Sequence, residues 1–191
     1  MALSDSELIL QAKNGNDAAF EELVYRYDRS VLATALKYVQ NRDEAKDIYQ
    51  DVFIRIHRGL KNFEMRSEFS TWLYRVVVNY CINYQKGKKR KQFYPIAGSE
   101  PDDEKSWQKT LKGKERDPEA IILNQELSTE ITGAIRQLST KQRTVFILRH
   151  YHGHKLKEIA GIMNCSEGTV KNYLFRATQK LQHLLYEYSK N

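Results

Sequence analysis

The chain has 191 residues, of which 41% are hydrophobic and 29% charged, which suits one ordinary domain or two small ones. Its net charge of +7 favours a polyanion as partner. Binding to an anionic membrane would call for a strongly basic amphipathic helix, and the sequence has none. No apolar run approaches the roughly 20 residues of a membrane span, and no basic region precedes an apolar stretch at the N-terminus. We therefore expect neither membrane insertion nor a secretory signal, and we expect a cytoplasmic protein.

Residues 1–94 are predicted to form a helical module, which carries 16 Lys and Arg against 12 Asp and Glu. Ser4 and Glu7 have the spacing of a capping box and predict the start of a first helix. The segment Asn14-Gly15-Asn16 ends it. Apolar residues at helical spacing then predict a longer second helix from Asp17 to about Tyr38.

A third helix is predicted from Asp43 to Leu60, and it carries acidic residues four positions apart. Asp43, Asp47 and Asp51 therefore share one face of this helix. Such a stripe suits a basic protein partner better than nucleic acid. A solvated helix face, with acids near the favourable N-terminal end, explains the pattern equally well.

Aromatic residues gather in and beside a predicted loop over residues 61–69. Beside basic groups, aromatic rings can hold the unstacked bases of single-stranded DNA. The alternative is that Trp72 belongs to the core and the others anchor the loop. The residues are Phe63, Phe69, Trp72 and Tyr74.

A fourth helix is predicted from Ser70, as its cap, to about Lys86. Its polar face forms a ridge that leads into a basic cluster, as a surface tracking phosphates would. The alternative is a frayed basic helix end. The ridge consists of Arg75, Asn79, Asn83 and Lys86, and the cluster includes Lys88, Lys89 and Arg90.

Residues 95–117 read as a flexible linker, because they hold Pro and Gly without any apolar period. They carry 5 basic against 6 acidic residues, whereas residues 118–191 carry 10 against 6. The sequence therefore predicts an all-α protein of two small basic helical domains, 1–94 and 118–191, on either side of this linker. No alternating strand pattern is found.

The second domain is predicted to contain four helices, the last two with helix-turn-helix spacing. They run from Pro118 to about Leu138, Thr140 to Tyr151, Leu156 to Met163, and Glu167 to about Tyr188.

The helix-turn-helix pattern rests on three positions between its helices. Ala160 is small where two helices cross, Asn164 tolerates the left-handed turn, and Ser166 can cap the second helix. That second helix suits the major groove, where Lys and Arg contact phosphate or guanine and Asn pairs with adenine. A plain helical hairpin with a solvated basic face is the alternative. The outward residues are Lys171, Asn172, Phe175, Arg176 and Lys180.

Cysteines and histidines indicate no metal site. Cys81 and Cys165 are far apart in apolar patterns and are read as reduced core thiols. His150, His152 and His154 alternate at a helix end, which does not converge three ligands well. We interpret them as a solvated or phosphate-facing cluster, and we expect no cofactor.

Three motifs resemble those of bacterial RNA polymerase sigma factors, in the extracytoplasmic-function group. Asp47-Ile48-Tyr49-Gln50-Asp51-Val52-Phe53 is similar to the Asp-x-x-Gln-Glu-x-Phe signature of that family. Phe69 to Arg75, followed by Asn79, resembles its next conserved block. Glu158-Ile159-Ala160 and Gly168-Thr169-Val170-Lys171 resemble its C-terminal helix-turn-helix.

The resemblance implies a non-enzymatic subunit that brings RNA polymerase to promoters, with no small-molecule substrate. Asp47, Gln50, Asp51 and Phe53 would dock on the clamp helices of the core enzyme, and the second domain would contact its flap. Residues 1–94 would read and open the minus-ten element, through Phe63, Phe69, Trp72, Arg75, Asn79, Asn83, Lys86, Lys88, Lys89 and Arg90. The second domain would bind the minus-thirty-five element, through Ser166, Thr169, Lys171, Asn172, Phe175, Arg176 and Lys180. An anti-sigma factor is implied as a further partner.

Two other functions are alternatives to this one. A stand-alone helix-turn-helix regulator would account for the second domain, but residues 1–94 show no α/β alternation of a receiver or sensor. An enzyme acting on nucleic acid would need a glycine-rich phosphate loop, a carboxylate metal cluster or a nucleophile motif, and none is found.

Overall fold

The computed structural model of the protein describes residues 3–93 and 130–188, with side chains up to residue 88 in the first range and residue 186 in the second. Within these ranges the secondary structure is helical throughout, with no strand, so the predicted all-α class is confirmed. The helices are α1 (Asp5–Lys13), α2 (Asp17–Tyr38), α3 (Arg42–Leu60), α4 (Phe69–Phe93), α5 (130–136), α6 (Thr140–His150), α7 (Leu156–Met163) and α8 (Glu167–Tyr188).

Side-chain caps fix where the first helices begin. The predicted capping box is confirmed: Glu7 N donates to Ser4 Oγ at 3.3 Å, and Ser4 N donates to the Glu7 carboxylate at 2.7 Å. This pairing lowers the pKa of Glu7. Asn16 caps α2 by accepting from Ala19 N, and Asn41 caps α3 by accepting from Asp43 N. Each cap supplies an acceptor to an amide that lacks a partner within its helix.

Helix α4 differs from its prediction at both ends. It begins at Phe69, so Ser70 lies inside the helix and is not its cap. Thr71 N and Trp72 N donate to the Glu68 carbonyl at 3.1 and 3.3 Å, which places Glu68 at the helix start. At the other end α4 continues to Phe93, because Gly87 is tolerated within it and Lys88 forms an ion pair with Glu44 of α3.

The first module packs α1, α2, α3 and α4 around one apolar core. Helix α1 contributes Leu8 and Ile9 to this core and is also held by polar contacts. Arg26 Nη1 donates to the Asp5 carboxylate at 2.9 Å, and Tyr27 Oη donates to the same group. The core face of each helix follows the apolar spacing of its sequence. The largest wholly buried side chains here are Ile9, Leu23, Ile48, Ile56, Leu73, Val31, Val52 and Val77.

The second module packs α5 to α8 around a second group of buried residues. Its buried Arg143 donates to the carbonyls of Ile135 at 3.2 Å and Leu138 at 3.1 Å, and also to the Arg136 carbonyl. The guanidinium therefore closes the end of α5 onto α6. The predicted start of α5 at Pro118, and the predicted linker 95–117, lie outside the described residues.

The two modules contact each other at the C-terminal end of α2. Arg136 donates to the Leu36 carbonyl from Nη2 at 2.7 Å and from Nε at 3.0 Å. Arg143 Nη1 lies 3.5 Å from the Tyr38 carbonyl, and Tyr38 Oη lies 2.8 Å from Thr144 Oγ1. The last carbonyls of a helix lack intrahelical donors and carry partial negative charge, so two arginines suit this position.

A second contact joins α2 and α4 to the turn before α7. His152 Nε2 lies 2.8 Å from Thr34 Oγ1, and its ring stacks on Tyr74 with centroids 3.6 Å apart. Nearby, Arg75 Nη2 donates to the Gly161 carbonyl at 3.2 Å. The modules therefore meet through polar contacts that range from buried, as between Tyr38 and Thr144, to exposed, as between Arg75 and Gly161. The boundaries assigned to the modules from the sequence stay a prediction.

Candidate functional site

The turn between α7 and α8 has the geometry that its sequence predicts. Asn164 adopts the left-handed conformation, with φ 51° and ψ 55°. Ser166 Oγ accepts from Thr169 N at 3.2 Å and lies 2.9 Å from Thr169 Oγ1. Ser166 and Thr169, both predicted to contact DNA, thus hold the start of α8. A helix N-terminus fixed in this way can also face a phosphate.

Helix α8 presents one basic and amide-bearing face to solvent. Val170, Ala177 and Leu181 are buried against the module, so the opposite face of the helix is exposed. Phe175 on that face is 62% exposed, which is unusual for a large apolar ring. The other exposed residues of this face are Lys171, Asn172 and Arg176.

Lys180 lies at the edge of this face and turns back towards its own module. Its Nζ donates to the Gln137 carbonyl at 2.7 Å, which ties α8 to the end of α5. The side chain is exposed, so it can exchange this bond for a phosphate. Like Ser166 and Thr169, Lys180 is therefore a predicted groove residue that already has a contact within the chain.

Helix α4 displays the predicted ridge on one side and a buried face on the other. Leu73, Val77 and Cys81 are wholly buried, and burial raises the pKa of the Cys81 thiol to about 12. The ridge residues all lie at the exposed surface, over roughly 16 Å of helix. They are Arg75, Asn79, Asn83 and Lys86.

The basic cluster after the ridge is only partly described. Lys88 is exposed and pairs with Glu44, which raises its pKa and directs it towards α3. The side chains of Lys89 and Arg90 lie outside the described part of the chain. Helix α4 continues past these two residues to Phe93.

The aromatic cluster is more buried than base stacking requires. Phe63 and Phe69 are 6% and 4% exposed, and their rings pack on Trp72 at centroid distances of 4.9 and 5.8 Å. They anchor the loop to the core, as the alternative reading proposed, because stacking on a base needs an open ring face. Trp72 is half-buried, so it is less enclosed than Phe63 and Phe69.

The loop before α4 carries the exposed groups of this region. Met65 has a positive φ of 56°, and Arg66 pairs with Glu64 at 2.7 Å. Lys13 Nζ of α1 donates to the Phe63 carbonyl at 2.6 Å and fixes the start of the loop. A loop anchored at Phe63 and Phe69 thus presents Met65, Ser67 and the charged residues Glu64, Arg66 and Glu68 to solvent.

The acidic face of α3 is exposed, but its predicted docking residues divide into two groups. Asp47 and Gln50 lie at the surface. Asp51 is also exposed, but it accepts a hydrogen bond from Tyr80 Oη of α4; burial, together with this contact, raises the pKa of Tyr80. Phe53 is 8% exposed and packs edge-on to Tyr49 at 4.9 Å, so its ring supports the helix from within.

The histidines differ from the expected solvated or phosphate-facing cluster. His154 is 5% exposed, with Nδ1 lying 3.2 Å from the Glu158 carboxylate. His152 is enclosed between Thr34 and Tyr74. Only His150 is exposed among the three. Over residues 3–93 and 130–188, no group of three or more His, Cys, Asp or Glu side chains is arranged to hold a metal ion.

The contacts between the modules are the feature that sequence patterns missed. Thr34 lies on the buried side of α2 and is 1% exposed, and Arg143 is 6% exposed within α6. A polar side chain in an otherwise apolar stripe is the only sequence signal of such a contact.

None of the helices in the described ranges combines the length and apolar character needed to cross a bilayer.

Both modules match known protein families. Residues 23–91 match the family described as Sigma-70 region 2, and residues 128–181 match Sigma-70, region 4. The chain is 32% identical over 181 residues to the RNA polymerase sigma-H factor of Pseudomonas aeruginosa, covering 95% of this chain and 93% of that protein. It is also 32% identical over 182 residues to the ECF RNA polymerase sigma-E factor of Escherichia coli, covering 95% and 94%.

Two solved structures share the fold at 23% identity. One is CnrH in complex with the cytosolic domain of CnrY, with a TM-score of 0.68 over 96% of this chain and 97% of that one. The other is the sigma factor RpoE of Bartonella quintana in complex with the anti-sigma factor NepR, with a TM-score of 0.63 over 87% and 96%.

Proposed function

The chain belongs to the sigma-70 family of bacterial RNA polymerase sigma factors, in its extracytoplasmic-function group, and from this premise we propose how its surfaces direct RNA polymerase to promoters. The observation that supports this proposal is that one chain has an exposed acidic helix face, a polar ridge and a helix-turn-helix. The first would bind the polymerase and the other two would bind DNA. The protein would act in the cytoplasm without catalytic chemistry of its own.

The acidic face of α3 is proposed to dock on the clamp helices of the core polymerase. Asp47 and Gln50 are the exposed groups that would make direct contacts. Asp51 would act partly through its bond to Tyr80, which fixes α3 against α4. Phe53 would support the helix from the core. The charge of this face suits a basic partner and would steer association.

The ridge on α4 and the loop before it are proposed to read and open the minus-ten element. Arg75 and Lys86 would contact phosphates, and Asn79 and Asn83 would reach the bases or the backbone between them. Melting would follow from capture, because bases held out of the stack offset a few kcal/mol of unstacking. Trp72 is half-buried, less enclosed than Phe63 and Phe69, and would receive a base.

The exposed face of α8 is proposed to enter the major groove of the minus-thirty-five element. Lys171 and Arg176 would contact phosphate or guanine, and Asn172 would pair with adenine. Phe175 would offer an apolar contact, such as to a thymine methyl group. The second module would also contact the polymerase flap, and an anti-sigma factor would compete for these surfaces.

The experiment that tests this function combines polymerase binding and transcription. The purified protein is mixed with core bacterial RNA polymerase, and both co-elution and promoter-dependent transcripts from genomic fragments are measured. We expect Asp47→Arg to abolish co-elution, whereas Glu21→Arg, at another exposed acid on α2, leaves it intact. DNA binding without polymerase association would instead support the stand-alone regulator.

A second experiment tests the capture of bases. Trp72→Ala is expected to reduce thymine reactivity to permanganate in the open complex by roughly tenfold, as loss of one stacked base implies. Duplex binding is expected to change little, and Trp72→Phe retains most of the opening. An equal loss of duplex binding would refute base capture at Trp72.

A further inference from the structure

We propose that Tyr80 of α4 is a positioning residue for polymerase docking, which acts through Asp51 and Arg55 of α3. Its hydroxyl group holds the Asp51 carboxylate in place, and its ring keeps Arg55 away from that carboxylate. Asp51 therefore stays available as a negative charge for a basic partner. This inference rests on the proposed docking of α3 on the core polymerase, and it assigns a part in docking to a residue of the neighbouring helix.

Two side-chain contacts join the acidic face of α3 to α4. Glu44 forms an ion pair with Lys88, and Asp51 accepts a hydrogen bond from the Tyr80 hydroxyl group. Residue numbers rise along α3 while those of the partners fall along α4, so the two helices are antiparallel here. The acidic face of α3 therefore borders α4 over this length, and a residue of α4 can orient an acid of α3.

The Tyr80 hydroxyl group is the donor of the bond to Asp51. Tyr80 is half-buried, and burial, together with this bond, raises the pKa of Tyr80. The phenol therefore keeps its proton at neutral pH, and the carboxylate accepts it in a charge-assisted hydrogen bond, which is stronger than a neutral one. The bond uses Oδ2 of Asp51. The exposed side chain is thus held in one orientation, in which Oδ1 can face a partner.

The ring of Tyr80 holds a second residue of α3. The guanidinium carbon of Arg55 lies 5.0 Å from the centroid of this ring, within the range of a cation–π interaction. Arg55 follows Asp51 by one helical turn, at the spacing where opposite charges pair along a helix. Such a pair would neutralise Asp51 within α3 itself. Because Tyr80 binds the guanidinium with its ring and the carboxylate with its hydroxyl group, it keeps these two charges apart.

A carboxylate held in this way suits docking better than one that moves freely. Ordering an exposed side chain during binding weakens association by about two- to tenfold. Tyr80 reduces this loss, because it orders Asp51 before the partner arrives. It also preserves a charge that steers a basic surface towards α3. Both effects predict that polymerase affinity depends on Tyr80 through Asp51.

A second bond of the same kind in this chain provides a matched control. Tyr27 of α2 donates its hydroxyl proton to the Asp5 carboxylate of α1, and burial, together with that bond, raises the pKa of Tyr27. Tyr27 and Tyr80 are both half-buried, and each joins two helices of the first module. Tyr27→Phe therefore removes the same interaction from helices that do not carry the acidic face.

The test measures the dissociation constant for core polymerase with the full-length protein. The variants are Tyr80→Phe, Asp51→Ala, these two combined, and Tyr27→Phe. We expect Tyr80→Phe to weaken binding about fivefold and Tyr27→Phe to leave it unchanged, although both lower the midpoint of urea unfolding by similar amounts. In the Asp51→Ala background, Tyr80→Phe is expected to add no further loss of affinity, because no carboxylate remains to be held.

Arg55 supplies a readout that a loss of packing would not move. Tyr80→Leu removes both the hydroxyl group and the ring, and it is expected to weaken binding by about tenfold. Adding Arg55→Gln to this variant is expected to restore about twofold, because it removes the cation that can then pair with Asp51. In the wild type, Arg55→Gln is expected to change binding less, since Tyr80 already holds the guanidinium.

The outcomes separate this inference from the function on which it rests. Equal losses in Tyr80→Phe and Tyr27→Phe would overturn the positioning role, and so would a loss that persists in full with Asp51→Ala. Docking through Asp51 would stand in both cases. Failure of Arg55→Gln to restore Tyr80→Leu would overturn the part assigned to the ring. A wild type that does not bind core polymerase would overturn the proposed function, and the inference with it.

Discussion

Acidification is expected to open the two modules through His152. Burial, the neighbouring His154 and Lys37 lower the pKa of His152 from 6.5 to about 3 in the closed protein. When the modules part, water reaches the ring and its pKa returns towards 6.5. Only the open form then takes up a proton between these two values. The closed form is therefore fully favoured above pH 6.5 and loses stability as the pH falls below it.

The magnitude follows from these two pKa values. At pH 5.5 the open form is about 90% protonated at His152, whereas at pH 7.5 it is about 10% protonated. The equilibrium constant for closing therefore falls about tenfold between pH 7.5 and 5.5, or about 1.4 kcal/mol. The groups that face this ring are Thr34, Lys37, Tyr74 and His154, and the phenol of Tyr74 stays neutral throughout this range because burial raises its pKa.

The assay is the radius of gyration of the free protein at pH 7.5, 6.5 and 5.5. The wild type is expected to expand on acidification, and so is His150→Gln, which alters an exposed histidine nearby. His152→Gln keeps a polar group towards Thr34 but does not titrate, so its size is expected to stay constant. An equal response of His152→Gln, or a wild type of constant size, would refute the assignment to His152.

Three further outcomes can be measured by unfolding and binding. Asn164→Ala is expected to lower the free energy of urea unfolding by about 1–2 kcal/mol, because alanine resists the left-handed conformation that Asn164 adopts; Asn164→Gly should cost much less, and equal losses would contradict the argument. Ser4→Ala is expected to cost about 1 kcal/mol by removing the cap of α1, and an unchanged denaturation midpoint would count against it. Lys171→Ala is expected to reduce the slope of log affinity against log salt for minus-thirty-five DNA by about one. Lys180→Ala should change that slope less, since its Nζ bonds to the Gln137 carbonyl, and the reverse order would argue against this placement.

Helix positions could be predicted from the sequence wherever caps and apolar spacing agreed. The starts at Asp5, Asp17 and Glu167 were predicted correctly, because a cap or turn residue directly precedes each of them. The end of α4 was not, because Gly87 and the following lysines resemble a helix stop. The contact that offsets this signal, Lys88 to Glu44, joins residues 44 positions apart. Local propensity carries no information on such a pair.

The candidate site could be predicted as a set of faces rather than as individual roles. The exposed ridge of α4 and the outward face of α8 follow from helical periodicity, which assigns a side to each residue. Burial within a face depends on tertiary packing, and here the prediction was less informative. Phe53, Phe63 and Phe69 are of a residue type that often contacts a partner or a base, yet their rings are buried in the first module.

The histidines illustrate the same limit. A run with alternate histidines has no helical stripe, so the sequence favoured a solvated position for His150, His152 and His154. Two of them are instead enclosed by the other module and by Glu158. The contacts that enclose His152 come from residues far along the chain: Thr34 is 118 positions away and Tyr74 is 78 positions away. Periodicity cannot reveal a contact of that range.

The arginine cap on the end of α2 joins main-chain acceptors to side-chain donors, and mutation affects these two kinds of group unequally. The acceptors are the main-chain carbonyls of Leu36 and Tyr38. A substitution at these positions keeps the carbonyl, unless it changes where α2 ends. The donors are the side chains of Arg136 and Arg143, which a single nucleotide change can remove. Substitutions that weaken this cap should therefore arise in the second module. Exchanging the first module for that of another protein with the same α2 end should leave this arginine cap in place. Chimeric promoter-binding proteins can be designed by this rule.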